Sequence, residues 1–277
     1  MKPTRFTSAI SSYLQEDQPY GDPASLFIPQ DHLSKGFIRV QQEGFLCGEF
    51  LLEPFFHFLD PTISIQSHSK DGDALHPGDI VANIEGRTQS ILQMERIVLN
   101  LLAYLSGITT KTKQVSTITN AYGVSLLDTR KVLPGYRSFV KYAVQCGGGY
   151  NHRNSLSDLI MIKNNHIQAF GGIDKALQHV RETNTHPMLK IEVETSCLRE
   201  ALASLPYNPD IIMLDNYSVE EAKEALFFLR GKAQIEISGN IQEDNIESYA
   251  KLKPDFISMG SALTYDVSSV SFHLRLE

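Results

Sequence analysis

The run Ile211-Ile-Met-Leu-Asp-Asn216 decides how the second half of this chain folds. Four consecutive apolar residues leave no polar face, so a strand made from them is buried on both sides, the condition of a parallel sheet covered by helices. Outward from this run, in the segment Asp210–Leu214, similar ones recur at Val124–Leu127, Leu159–Ile162, Leu189–Val193, Gln234–Ile237 and Phe256–Met259. Spacings of roughly 20 to 35 residues, with helical segments between them, are the signature of βα units, and a parallel barrel fits best. In such a barrel the active site forms at the carboxyl ends of the strands. Arg130, Lys163, Glu192, Asp215, Ser238 and Gly260 all fall there.

The chain has 277 residues, 42% of them hydrophobic, enough to bury a core in one large or two modest domains. It carries 32 acidic and 25 basic residues, a formal net charge of -7 and a pI of about 5.7. That balance argues against nucleic acid or an anionic membrane as the main partner, since both demand a positive field. Against it, five cations crowd a short stretch: Arg130 and Lys131 in Asp-Thr-Arg-Lys, His152 and Arg153 in Asn-His-Arg, and Lys163 in Ile-Lys-Asn-Asn-His. Each group closes or follows an apolar run, which puts it at a strand end rather than on a solvated helix face. Something locally very negative is held there. Glu192 and Asp215 on later strands turn the reading toward a catalytic pocket rather than a simple anion site. Lys163 reads as functional, because an unpaired ammonium is costly to desolvate. A lone His152 reads as a structural hydrogen-bonder, and its Asn and Arg neighbours draw it into the site.

The three cysteines, Cys47, Cys146 and Cys197, are odd in number and widely spaced, which suggests neither a zinc site nor a disulfide framework. Cys146 reads as packing, and His68 and His166 as non-catalytic. Met1 to Asp17 contains no signal-peptide core, and no uninterrupted apolar run reaches the roughly 18 residues of a membrane span. A cytoplasmic location is expected.

Before residue 100 the pattern differs. Gly36–Val40 and Ile63–Gln66 alternate with Gly and Asp turn signals, as in an antiparallel sheet with helices on one face. Lys70 to Gly86 reads as a small hairpin, similar to lipoyl and biotinyl carrier modules but without a lysine at its tip. Gln89 to Ser106 reads as a long helix stopped by Gly107. Gly147–Gly149 is open to two readings, a flexible loop or a close approach of backbone to substrate.

The ordered series of motifs carries a family resemblance. Asp128-Thr-Arg-Lys131 with Pro134-Gly135, Lys141-Tyr-Ala-Val144 with Cys146-Gly-Gly-Gly149, Asn151-His-Arg153 and Ile162-Lys-Asn-Asn-His-Ile167 closely resemble quinolinate phosphoribosyltransferase. Glu95-Arg96, Leu105-Ser-Gly-Ile108, Ile191-Glu-Val-Glu194, Leu214-Asp-Asn216, Ser238-Gly239 and Met259-Gly260 extend the match over the whole chain. The expected architecture is an N-terminal α+β sandwich domain, 1–99 completed by 267–277, and an incomplete α/β barrel of parallel strands over 100–266.

The resemblance implies transfer of a phosphoribosyl group from PRPP to the ring nitrogen of quinolinate, with loss of CO2 and release of nicotinate mononucleotide and pyrophosphate. It places Arg130, His152 and Arg153 on the two carboxylates, Lys163 between quinolinate and PRPP, and Lys131 on the PRPP phosphates. Glu192 and Asp215 serve the ribose hydroxyls and Mg2+, and backbone amides of Ser238, Gly239, Gly260 and Ser261 grip the 5-phosphate. No organic cofactor is required, because the ribosylated ring nitrogen is itself the electron sink. Arg96, on a polar helical stripe, reaches into the partner's barrel in a homodimer. The chain departs from the family pattern at Gln145 (often Arg), Asn164 (often Asp), Asn240 (typically Gly) and in the longer Gly260–Tyr265 segment. A Schiff-base aldolase using Lys163, a transferase acting on another pyridine acid and a non-catalytic PRPP-binding homologue are the alternatives.

Overall fold

A computed structural model describes residues 6–277; the first five residues of the Met1–Asp17 stretch lie outside the described residues. Two compact units are present among the described residues, one running up to Lys111 and taking in Val267–Glu277, the other Thr112–Asp266. The point between residues 99 and 100 falls inside one continuous helix, Thr88–Asn120.

The first unit is built on an antiparallel sheet of Leu33–Val40 (β1), Ser64–Ser67 (β3), Ile80–Arg87 (β5) and Phe272–Leu276 (β12), in the order β12-β1-β5-β3. Helices Thr7–Asp17 and Leu52–Leu59 contribute the apolar side chains Ile10, Phe55 and Phe56 to its core. The hairpin expected over 70–86 does not form. Ala74–Leu75 (β4) pairs instead with Gly44–Phe45 (β2), and β5 lies between β1 and β3. The eight-residue β5 alternates buried and exposed positions, so it can hold a central place that a short hairpin arm could not.

The long helix is not stopped by Gly107. A Cβ at that position would lie 2.6 Å from the carbonyl oxygen of Ser268 and 3.1 Å from Cα of Ser269. The glycine therefore lets the returning C-terminal segment lie against the helix. The helix spans 33 residues and is apolar enough for a membrane by composition, but 61% of its most apolar window is buried within the protein.

The second unit holds six parallel strands: Ser125–Leu127 (β6), Ile160–Ile162 (β7), Ile191–Thr195 (β8), Ile211–Asp215 (β9), Gln234–Ser238 (β10) and Phe256–Ser258 (β11). Their order β6-β11-β10-β9-β8-β7 leaves β6 and β7 as edges of an open barrel. The free edge of β6 takes up Tyr150, whose amide donates to Leu126 O (2.8 Å) and whose carbonyl accepts from the amide of Asp128 (3.0 Å).

Both faces of this sheet are covered, yet they differ in kind. Val193, Ile212, Leu214, Ile235, Ile237 and Ile257 join the buried apolar cluster with the surrounding helices. The residues between them, among them Met161, Glu192, Glu194, Met213, Asp215, Glu236, Ser238 and Ser258, lie on the other face by the two-residue period of a strand.

Candidate active site

That second face carries a pocket of about 440 Å3 at the carboxyl ends of the strands. Its lining brings together Arg130, Lys131, His152, Arg153, Lys163, Asp215 and Ser238, all singled out from the sequence. Thr129, Met161, Glu194, Met213, Glu236 and Ser258 complete it.

Arg153 is only 7% exposed, and neither its guanidinium nor that of Arg130 has a hydrogen bond or ion pair to a protein acceptor among the described residues. Nε of Arg130 is buried without a partner. Burial, and then the neighbouring charge of Arg130, pull the Arg153 pKa below its ordinary value. Two crowded guanidiniums lacking hydrogen-bonded carboxylates form a site for an anion from outside.

Lys163 follows β7, and its Nζ donates to Glu194 at 2.7 Å. Its backbone amide donates to Nδ1 of His166 (3.0 Å), which gives that histidine a capping role. Asp215 ends β9. Burial and the charge of Glu194 raise its pKa, so two carboxylates face one another at the mouth with Lys163 and Lys131 as partial counter-charge.

Glu192 does not line the pocket. It is fully buried one layer deeper, where its Oε2 accepts from His152 Nε2 at 2.8 Å. The period of two puts Glu192 and Glu194 on the same face, and the residue nearer the strand's carboxyl end reaches the mouth. The Ile-Glu-Val-Glu sequence contains both candidates and no local signal separating them; only strand depth does so.

His152 also departs from the expected carboxylate grip. Its Nδ1 accepts the Arg153 amide (2.8 Å), while Nε2 meets Glu192 and lies 3.4 Å from Glu236. Both ring nitrogens are therefore occupied by protein groups. Burial opposes charging this ring, but the two carboxylates outweigh it and hold its pKa at about 10. A proton added at Nδ1 must displace the Arg153 amide. Glu236, fully buried with neither oxygen hydrogen-bonded, completes the pocket floor and was not foreseen from the sequence.

Ser258 Oγ donates to Ser238 Oγ at 2.8 Å on adjacent strands. Gly239, Gly260 and Ser261 are not among the lining residues, although both glycines are required by close approaches. A Cβ on Gly239, which has φ 90°, would lie 2.6 Å from the amide nitrogen of Asn216, and one on Gly260 would lie 2.8 Å from Cδ of Lys131. Asn240 adopts φ 52°, the left-handed conformation that glycine, the residue the resemblance leads one to expect there, takes without strain. It donates to Asn216 Oδ1 (2.9 Å), and Asn216 in turn donates to Asp215 Oδ2 (2.8 Å).

Gly147–Gly149 matches neither expectation. A Cβ on Gly149 would lie 2.8 Å from Cγ1 of Val144 and 3.0 Å from Cγ2 of Thr112, and Ser116 Oγ donates to Gly147 O at 2.8 Å. These glycines press the loop onto neighbouring helices. Arg96 is exposed on the long helix in the first unit and is absent from the pocket lining.

An open parallel α/β barrel whose mouth joins guanidiniums without hydrogen-bonded acids, two lysines and facing carboxylates defines an enzyme class that handles a small polyanionic substrate. Sequence profiles of the quinolinate phosphoribosyl transferase N-terminal and C-terminal domains match residues 22–106 and 108–275. A probable carboxylating nicotinate-nucleotide pyrophosphorylase of Methanocaldococcus jannaschii is 40% identical over 277 residues, covering 96% of this chain and 95% of its own. One from Bacillus subtilis is 35% identical over 268 residues, covering 96% of this chain and 91% of its own. The solved nicotinate-nucleotide pyrophosphorylase of Francisella tularensis superposes with a TM-score of 0.91 at 34% identity, covering 100% of this chain and 98% of that one. The chain belongs to the quinolinate phosphoribosyltransferase family.

Proposed function

We propose that this protein transfers the phosphoribosyl group of PRPP to the ring nitrogen of quinolinate, giving nicotinate mononucleotide, pyrophosphate and CO2 for NAD biosynthesis. The single observation that carries the reading is the Arg130–Arg153 pair without a hydrogen-bonded acid, in a family acting on a ring with two carboxylates. Each guanidinium fork meets a carboxylate bidentately, a geometry a lysine cannot supply. His152 shapes the wall beside Arg153. Lys163 lies between the dicarboxylate and the ribosyl donor, and Lys131 serves the phosphates. Amides near Ser238, Gly239, Gly260 and Ser261 receive the 5-phosphate.

Mg2+ accompanies PRPP in this reading, and the donor set fits it. Asp215 and Glu194 are oxygen ligands whose mutual repulsion a divalent cation relieves, whereas Glu192 is committed to His152. The ion supplies neutralisation of pyrophosphate charge. Glu194 and Asp215 also favour positive charge developing on the ribose ring as pyrophosphate departs. The cationic ribosylated ring nitrogen then stabilises the carbanion that departing CO2 leaves at C2, which takes up a proton from solvent, so no organic cofactor is invoked. The enzyme acts in the cytoplasm as a homodimer, with Arg96 of each copy completing the partner's pocket.

Purified protein incubated with PRPP, Mg2+ and quinolinate is expected to form nicotinate mononucleotide and CO2 in equal amounts, with no product from nicotinate. Product from nicotinate without CO2 would instead identify a transferase for a different pyridine acid. Mixed dimers of inactive Arg96→Ala and Lys163→Ala chains are expected to regain partial activity, and none in verified mixed dimers would remove Arg96 from the site.

A further inference from the structure

Asp128 lies at the end of β6, two residues before Arg130, and is 1% exposed. Its Oδ1 accepts from Lys141 Nζ (2.5 Å) and from the backbone amide of His152 (2.9 Å). Lys141 is 3% exposed and belongs to the helix Arg137–Cys146. With its amide turned so that the nitrogen faces Asp128 Oδ2 (2.8 Å) and Lys141 O (3.0 Å) and the oxygen faces Gln145 Nε2 (3.1 Å), the orientation that satisfies every partner, the Asn151 side chain donates to the first two and accepts from the third. One buried carboxylate therefore ties the segment after β6, which carries Arg130, to the loop that carries Arg153.

Burial acts against both charges, raising the Asp128 pKa and lowering that of Lys141, and their mutual attraction offsets only part of it. Buried ion pairs of this kind add little net stability over an apolar replacement. Stability alone leaves the pair without a reason, whereas its place behind the pocket supplies one.

We propose that the buried Asp128–Lys141 pair, with Asn151 and Gln145, is a positioning device that sets the spacing of the Arg130 and Arg153 guanidiniums and so selects a ring bearing two adjacent carboxylates. None of the four lines the pocket. Asp128 holds the loop by the His152 amide, Asn151 by its side chain, and Lys141 fixes the orientation of Asp128. Gln145, which stands where the family often has arginine, adds a neutral contact to Asn151 rather than another cation beside Lys141. A ring with one carboxylate uses one guanidinium and is indifferent to the spacing.

The inference rests on the pocket's reading as the quinolinate site. Phthalate and benzoate, planar rings with two carboxylates and one, serve as inhibitors in the quinolinate assay. In Lys141→Met, the quinolinate KM and the phthalate inhibition constant are expected to rise at least tenfold, benzoate inhibition to change less than threefold, and the PRPP KM less than twofold. The double variant Asp128→Asn with Lys141→Met removes the stranded buried carboxylate while keeping an oxygen for the His152 amide, and is expected to recover part of the phthalate preference. If Lys141→Met does not fold, Asn151→Ala, which keeps the ion pair and removes the bridge, is expected to show the same selective loss. Folded variants that weaken phthalate, benzoate and PRPP equally, or that leave the phthalate-to-benzoate ratio unchanged, overturn the positioning role. Wild-type protein that neither turns over quinolinate nor binds phthalate overturns the underlying reading instead.

Discussion

Arg153 offers a substitution whose effects on stability and binding have opposite signs. Arg153→Met removes a guanidinium that is buried, crowded by Arg130 and without a hydrogen-bonded protein partner. A charge-assisted contact is worth about 1.5–3 kcal/mol, so quinolinate affinity is expected to fall roughly 10- to 150-fold. At a quinolinate concentration 100 times the wild-type Kd, ligand stabilisation is about 2.7 kcal/mol, and a 100-fold weaker variant keeps about 0.4 kcal/mol at that same concentration. With about 2–4 °C per kcal/mol for a domain of 150–250 residues, a ligand-induced rise in Tm of about 5–10 °C collapses to about 1 °C. The unliganded variant meanwhile is expected to melt no lower than wild type, and up to a few degrees higher, because it removes a buried guanidinium whose burial and crowding by Arg130 the charges of Glu192 and Asp158 offset only in part. Differential scanning fluorimetry with and without quinolinate reads both quantities. An unliganded Tm several degrees lower, with the ligand shift intact, would show that Arg153 holds the fold together and does not grip the substrate.

Glu194→Gln is expected to raise the PRPP KM or lower kcat at least tenfold with little change in Tm, whereas Glu192→Gln acts first on stability and on His152; equal kinetic losses from both would contradict the depth assignment. Gly107→Ala, which by helix propensity alone gains about 1 kcal/mol, is expected to destabilise by about 1–3 kcal/mol because its Cβ meets Ser268 O; a higher urea midpoint would refute the close approach. The Asp60 pKa is lowered by the Thr62 hydroxyl, against burial and with help from the Thr62 amide and Arg87. Its stabilisation is therefore complete above the ordinary carboxylate value of 3.8 and is lost as pH falls through the lower folded value. Asp60→Asn is expected to flatten that acid limb in a Tm-against-pH series, and an unchanged limb would exclude Asp60 as its source.

The barrel strands were legible because burial on both faces writes itself as a continuous apolar run. Each of the six expected segments overlaps a strand of the second unit, with ends shifted by no more than two residues. The first half was harder to read, because alternation marks a strand without naming its neighbour. Ile80–Arg87 is the example: its pattern gave strand character, and only the assembled sheet shows pairing with β1 and β3 rather than with residues close in sequence. Gly107 was misread for a related reason, since a glycine that ends a helix and one that lets a distant segment approach look alike in sequence.

The site divides along the same physical line. Side chains at strand ends were identified because a cation after an apolar run has no structural use, and Arg130, Lys131, Arg153 and Lys163 all reach the pocket. What spacing could not show was depth along the barrel axis, which puts Glu194 rather than Glu192 in the pocket lining and adds Glu236 to it. Depth also changes the chemistry available to a residue. At the mouth Glu194 meets the flexible ammonium of Lys163, whereas one layer down Glu192 is bonded to the buried ring of His152. In the proposed reading, the buried His152–Glu192 contact backs the wall where Arg130 and Arg153 meet the dicarboxylate, and the ribosyl donor enters beside Lys163 and Glu194. On that reading catalysis works by positioning, since a displaced guanidinium would lose the alignment between ring nitrogen and anomeric carbon on which transfer depends.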